Sequence, residues 1–537
     1  MTGTKAEHSE SFPERTASHQ LMVGSGIFLS RIMGFVRQRI FGYYFGITDA
    51  ADVFNAAFRI PNFLQNLFGE GALSASFIPV YAKLRAEGKN DEALKVANAV
   101  LTLLSLAISI AVLAGIMLAP LLVSLIAPGF TGDKKYYTVL LVKIFFPGAG
   151  FLVLSAWCLG VLNSHRRFIL SYAAPVVWNL CIIIALVFFG SKHSSYNLAV
   201  YIAWASVAGS LLQFLIQIPA VIRIAGTIRP VFSTSGMNVK RVIVNFFPAF
   251  VSRGVVQISA FIDSIIASVI GSGAVAVVVC AQTIYTLPVS LFGMAVTAVE
   301  LPAMSSATGS REDIASALRL RLAGSLGRIA FFIVPSAAAF LVFGDIITAA
   351  LYQTGRFDST GVYFVWITLC GASFGLLASA SARLLSSAFY AIQDTRTPFR
   401  FALYRVITAA LLSYVFAVIL PPLFGIEVLY GTAGLTFASG VAGWIEFYFL
   451  RRSLFSVIGE FNIEKNLMVK LWSAALTGIL CGLCVRFALR AYTDFHPAIN
   501  ASLVLGVYGS IYILLLYIMG NNESRIIIGR IKTLLRL

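Results

Sequence analysis

Residues 97–127 read ANAVLTLLSLAISIAVLAGIMLAPLLVSLIA, 31 positions without one charged side chain. A helix of that length rises about 1.5 Å per residue and exceeds the roughly 30 Å hydrocarbon core of a bilayer. The surroundings are no more polar. The 537 residues are 58% hydrophobic and 12% charged, with a mean hydropathy of +0.86. That balance lies outside the range of water-soluble domains, so the fold class expected is all-α integral membrane.

Apolar runs bounded by charges and Gly/Pro breaks give about 14 transmembrane helices. Their limits are 21–45, 50–80, 97–127, 138–162, 169–190, 197–222, 243–269, 274–303, 317–344, 361–391, 401–420, 426–450, 467–490 and 499–519. The second and eighth are the weakest by hydropathy and follow partly from the spacing of their neighbours. Loops after even-numbered spans carry 16 Lys and Arg, from Lys83, Arg85, Lys89 and Lys95 through to Arg451, Arg452 and Lys465. Loops after odd-numbered spans carry five: Lys134, Lys135, Lys192, Arg356 and Arg490. The positive-inside rule then makes both termini cytoplasmic, which needs an even number of spans. The net charge of +17 is explained by this topology, and no nucleic-acid partner is expected, because the basic residues sit singly between apolar spans.

The six cysteines, Cys158, Cys181, Cys280, Cys370, Cys481 and Cys484, all lie in apolar runs. They read as small buried hydrophobes, and the C-x-x-C of Cys481 and Cys484 has no polar partners that would make a metal site. The five histidines are scattered, so no nucleophile or metal constellation emerges. The chain is expected to be no enzyme, with no catalytic residue, cofactor or metal; coupling to sodium, protons or membrane potential stays open.

The two halves repeat. Ser30-Arg31 answers Ser252-Arg253, Phe68-Gly69 answers Phe292-Gly293, and Pro79 answers Pro302, at offsets of about 222 to 224 residues. Gly129-Phe130 likewise meets Gly355-Arg356-Phe357, and Leu162-Asn163-Ser164 meets Ile392-Gln393-Asp394. Six spans per repeat predict two six-helix lobes related by a pseudo-twofold axis along the membrane normal, plus a C-terminal helix pair. The expected organisation is a cytoplasmic N-terminal tail over 1–20, an N-lobe over 21–225, a C-lobe over 241–455, spans 13 and 14 over 465–520, and a basic cytoplasmic C-terminal tail over 521–537.

Polar residues inside apolar spans mark functional sites by default. In the second span Asp52, Asn55, Arg59, Asn62 and Asn66 follow one another at three, four, three and four residues, one helical face about 21 Å long, with Glu70 a turn further. Against lipid that stripe would be very costly, so it lines either an interhelical seam or a translocation cavity, and the cavity is the reading preferred. The first span carries Arg31, Arg37 and Arg39 among five glycines that permit close packing or bending. With Arg59 they attract anions, and guanidinium forks suit phosphate oxygens. In the second half Arg253, Asp263 and Asp394 stand out. The two carboxylates either coordinate a coupling cation or pair with Arg253, Arg383 or Arg405; Glu300 and Glu446 are less specific.

The run Ser30-Arg31-Ile32-Met33-Gly34-Phe35-Val36-Arg37, then Asp52-Val53-Phe54, Phe58-Arg59-Ile60-Pro61-Asn62, Phe68-Gly69-Glu70-Gly71-Ala72 and Phe77-Ile78-Pro79-Val80, closely resembles the start of the MurJ (MviN) family of lipid II flippases. Ala127-Pro128-Gly129-Phe130, Tyr352-Gln353, Gly355-Arg356-Phe357, Phe389-Tyr390 and Gln393-Asp394 through Thr397-Pro398 extend the resemblance over nearly the whole chain. It implies a member of the multidrug/oligosaccharidyl-lipid/polysaccharide exporter superfamily in the bacterial cytoplasmic (inner) membrane. Such a protein moves lipid II, the undecaprenyl-diphosphate-linked disaccharide pentapeptide, to the outer leaflet by alternating access. Its partners would be lipid II or a similar polyprenyl-diphosphate lipid, membrane lipids and cell-wall synthesis proteins.

The family's cavity arginines fall on Arg31 and Arg37, and its second-span acid falls on Asp52. Gln38, Gln65 and Thr283 depart from the family pattern, and Arg39 and Arg253 are candidates to restore the lost charge. Alternatives are an exporter of another polyprenyl-linked glycan or of drugs, and a cell-wall scaffold that moves no substrate.

Overall fold

The computed structural model describes residues 12–165, 167–232, 236–305, 310–462, 464–492 and 495–534, and among these no strand occurs. The helices are α1 (Phe12–Phe45), α2 (Asp49–Asn66), α3 (Ser74–Ala86), α4 (Asn90–Ile126), α5 (Gly132–Ser164), α6 (Phe168–Phe189), α7 (Ser195–Ala225), α8 (Met237–Ile270), α9 (Ala274–Pro288) and α10 (Met294–Ser305). They continue with α11 (Arg311–Tyr352), α12 (Ser359–Ala391), α13 (Arg396–Tyr414), α14 (Leu420–Leu423), α15 (Gly431–Ile458), α16 (Lys465–Tyr492), α17 (Pro497–Ile518) and α18 (Asn522–Leu534). Each expected span coincides with one of these helices or with an interrupted rod. Ten apolar helices among the described residues are long enough to cross a membrane.

The rods of the second and eighth spans are interrupted in the same way. A π-helical stretch, Leu67–Leu73, joins α2 to α3, and another, Val289–Gly293, joins α9 to α10. Each contains the Phe-Gly pair matched by the repeat, and each precedes the matched proline. Closing bonds over five residues instead of four widens the turn, and such turns concentrate at functional sites.

Toward the termini, residues 12–20 are helical as the start of α1, and Asn522–Leu534 form α18. Asn521 precedes α18 and caps it: its Oδ1 accepts the Ser524 amide at 3.2 Å and its carbonyl accepts the Ser524 hydroxyl at 2.8 Å.

The chain divides into two compact units. The first runs to Phe45 and continues over Asp49–Phe261; the second is Gly46–Thr48 with Ile262 onward, so the boundary falls within α8. The core of the first unit gathers Phe77, Tyr81, Trp157, Leu162 and Val221 from α3, α5 and α7.

In the second unit α12 and α15 pack backbone to backbone. Gly371, Gly375 and Gly440 leave no room for a Cβ at their contact. The Thr368 and Thr432 hydroxyls lie 2.7 Å apart, and the Thr436 hydroxyl donates to the Thr368 carbonyl at 2.7 Å. Small residues with cross-helix hydroxyls are how helices associate where lipid removes the hydrophobic drive. A separate core joins α11 to α16 and α17 through Phe331, Phe343, Leu471, Tyr508 and Tyr512. There Pro335 has no N–H for the Phe331 carbonyl four residues earlier, and the Tyr512 hydroxyl donates to that carbonyl at 2.7 Å. A backbone acceptor orphaned by proline is thereby satisfied from another helix.

Candidate substrate site in the first unit

The apolar edge of α2, with Ala51, Val53, Ala56, Ala57 and Ile60, is buried, whereas Asn55, Arg59, Asn62 and Asn66 on the polar edge are half-buried. The helix therefore anchors by its small and branched residues and leaves its amide and guanidinium groups partly open. Asn62 and Gln65 border a narrow cleft whose far wall includes Ser206 and Ser210 of α7.

Asp52 differs from the rest of the stripe. It is fully buried, and Lys134 of α5 places its ammonium 2.7 Å from Asp52 Oδ2 and 2.6 Å from Asp49 Oδ1. Lys134 also sits 4.4 Å from the ring centroid of Phe130. Both aspartates lie in the first turn of α2, where the helix dipole favours negative charge. Sequence reasoning counted Lys134 among the outside loop residues and passed over Asp49. Only the helix geometry, with an acid pair three residues apart at a helix start, hinted at a missing cation.

Arg37 of α1 lies over the indole of Trp178 in α6, 4.8 Å from its centroid. Trp178 in turn stacks on Phe58 of α2, 5.8 Å between centroids, and donates from Nε1 to the Ser206 hydroxyl at 3.1 Å. Phe58 and Phe54 meet Phe145 of α5 edge to face. An aromatic train thus links Arg37, through Trp178, to Phe58, the residue preceding Arg59. A guanidinium over an indole face gains a cation–π contact and can still turn N–H groups toward an anion. Arg31, six residues earlier on α1, is exposed.

The second-half candidates fare differently. The side chains of Arg253 and Glu70 lie outside the described residues. Asp263 is half-buried within α8. Asp394 lies in the turn before α13, where its Oδ1 accepts the amides of Arg396 and Thr397, each at 3.0 Å. Hydrogen bonds from Thr397, then from the Arg396 amide, hold its carboxyl below the usual range. Arg405, one of the partners expected for these acids, pairs with Glu446 at 3.1 Å, and Glu300 pairs with Arg328 at 2.6 Å. Thr283 donates its hydroxyl to the Val279 carbonyl within α9 at 2.9 Å.

Apolar helices of membrane-crossing length, with ion pairs and a half-open polar helix edge among them, define a polytopic helical membrane protein of the carrier type. A family model described as lipid II flippase MurJ matches residues 41–502, and the chain belongs to that family. It is similar to the lipid II flippase MurJ of Burkholderia cenocepacia, 32% identical over 431 residues covering 78% of this chain and 80% of that protein. A solved structure titled lipid II flippase MurJ, inward closed conformation, matches with TM-score 0.75 and 24% identity over 93% of this chain and 99% of that one. The fold is shared more widely: an inward-facing multidrug resistance MATE family transporter of the MOP superfamily matches with TM-score 0.64 and 16% identity, over 80% of this chain and 95% of that one.

Proposed function

We propose that this chain is a flippase that carries lipid II, the undecaprenyl-diphosphate-linked peptidoglycan precursor, from the inner to the outer leaflet of the bacterial inner membrane by alternating access. It is a carrier and not an enzyme: no bond of the substrate is made or broken. The observation that carries the reading is the family match over residues 41–502, within which the α2 stripe falls.

The physical task agrees with those residues. A diphosphate crossing a low-dielectric layer must exchange its water for other donors. Arg31, Arg37 and Arg59 supply guanidinium forks for that exchange, and Arg253 is the candidate for the second repeat. Asn55, Asn62 and Asn66 offer neutral amides to the sugar and peptide parts. Asp263 and Asp394 remain candidates for a coupling cation, with sodium, protons and membrane potential as the possible energy sources. The loop charges favour cytoplasmic termini.

The test is replacement of a depleted lipid II flippase in cells by this chain, paired with lipid II accessibility at the outer leaflet. Growth and outer-leaflet lipid II are expected with the native sequence and lost with Arg37→Ala at unchanged protein level. Failure of the native sequence to support either overturns the reading.

A further inference from the structure

The second unit holds a cavity of about 390 Å³ where α11, α12, α16 and α17 meet. That volume lies within the roughly 300–1,000 Å³ usual for small-ligand sites. Its polar wall contains Asp345 of α11 and Arg486 of α16, whose carboxylate and guanidinium meet at 2.5 Å. The two side chains keep 21% and 19% of their surface exposed, so both charges remain partly open. Asn500 of α17 also lines the cavity, and its buried Oδ1 accepts no hydrogen bond.

The depth of the cavity follows from its rim. Trp366 donates from Nε1 to the Leu341 carbonyl at 3.2 Å, and the Tyr363 and Tyr430 hydroxyls lie 3.2 Å apart. Trp and Tyr collect at the level of lipid headgroups. Asp345 is one turn along α11 from Leu341, which places the ion pair at that level. Leu341 and Phe374, with 43% and 47% of their surfaces exposed, extend apolar surface along α11 and α12.

A wall with one cation and one anion side by side has no preference for net charge. It complements a ligand that carries both signs in reverse order, as a zwitterionic headgroup does. Asn500 Oδ1 adds a requirement for an N–H donor, which a primary ammonium has and a quaternary one lacks. We propose that this cavity binds one phospholipid with a phosphoethanolamine headgroup, its ammonium toward Asp345 and Asn500 and its phosphate toward Arg486.

Native mass spectrometry of the full chain in detergent tests the site with dioleoyl phosphatidylethanolamine, phosphatidylcholine and phosphatidylglycerol, and with soluble glycerophosphoethanolamine as competitor. The ethanolamine lipid is expected to be retained at least tenfold better than the other two, and the soluble headgroup to displace it poorly. Ala349→Phe fills the cavity, and Asp345→Asn with Arg486→Gln removes both charges without stranding one. Each is expected to reduce ethanolamine-lipid retention to that of phosphatidylcholine. Equal retention of the three lipids, retention unchanged in Ala349→Phe, or displacement by the soluble headgroup at equal concentration overturns the proposal. Ala349→Phe alone decides if the double variant does not fold. No transport is measured, so the outcome is independent of the flippase reading.

Discussion

The Lys134 ammonium lies 2.7 Å from the Asp52 carboxylate and 2.6 Å from that of Asp49, so a single cation from α5 holds two anions at the start of α2. Asp52 is fully buried and Lys134 keeps 13% of its side chain exposed. The stripe on α2 therefore begins in a neutralised clamp and continues with the half-buried Asn55, Arg59, Asn62 and Asn66.

Lys134→Met strands a buried carboxylate, and the loss is expected to be about 3–5 kcal/mol. Thermal unfolding in detergent measures it. Adding Asp52→Asn to that variant should return part of the loss; if the double variant is no more stable than the single one, the clamp is not what the lysine contributes.

Arg37→Lys keeps the charge but replaces the guanidinium that lies over Trp178. A cation–π contact of about 0.5–2 kcal/mol corresponds to a roughly two- to thirtyfold fall in lipid-diphosphate affinity if the stack positions the guanidinium. Unchanged affinity in Arg37→Lys, with loss in Arg37→Ala, would show that charge alone matters there.

Tyr512→Phe leaves the Phe331 carbonyl without its donor in an apolar core, at an expected cost of about 1–3 kcal/mol. Pro335→Ala restores an N–H to the helix. The Tyr512 change should then cost less in the Pro335→Ala background, and a double-mutant cycle of unfolding energies reads the difference; additive effects would refute the link.

His165 follows the end of α5 and accepts or donates through Nε2 to the Tyr81 hydroxyl at 2.9 Å. Burial, with Arg85 and Arg167 nearby, lowers its pKa from 6.5 to about 4. The unfolded chain then binds a proton that the folded chain refuses between those values, so stability is full above about pH 6.5 and declines as pH falls toward 4. His165→Gln should flatten the melting temperature over that window. An identical pH slope in wild type and variant would remove the histidine as the cause.

The sequence revealed α2 clearly because its function is written in one helix: spacings of three and four need no knowledge of the rest of the fold. The Lys134 contact could not be read that way. Its partners lie 82 and 85 residues away, and a lysine near a loop looks like a topology marker until packing turns it inward. Trp178, 141 positions from Arg37, was hidden for the same reason, since an aromatic in an apolar span carries no polar signature. Asp394 is legible as a carboxylate near a span end, but its acceptance of the Arg396 and Thr397 amides at the start of α13 is not. The second span is faint by hydropathy because Asp52, Asn55, Arg59, Asn62, Gln65, Asn66 and Glu70 all lie within it.

Leu67–Leu73 and Val289–Gly293, two of the π-helical stretches among the described residues, interrupt the rods of the second and eighth spans at matched places in the repeat. Returning such a turn to α-helical pairing shortens the bonded loop by one residue, which swings everything beyond it by about 100° and advances it by about 1.5 Å. The chain stays hydrogen-bonded on both sides of the change. Pro79 and Pro302 lie one on each rod beyond its π-helical stretch, so the same step would reorient both.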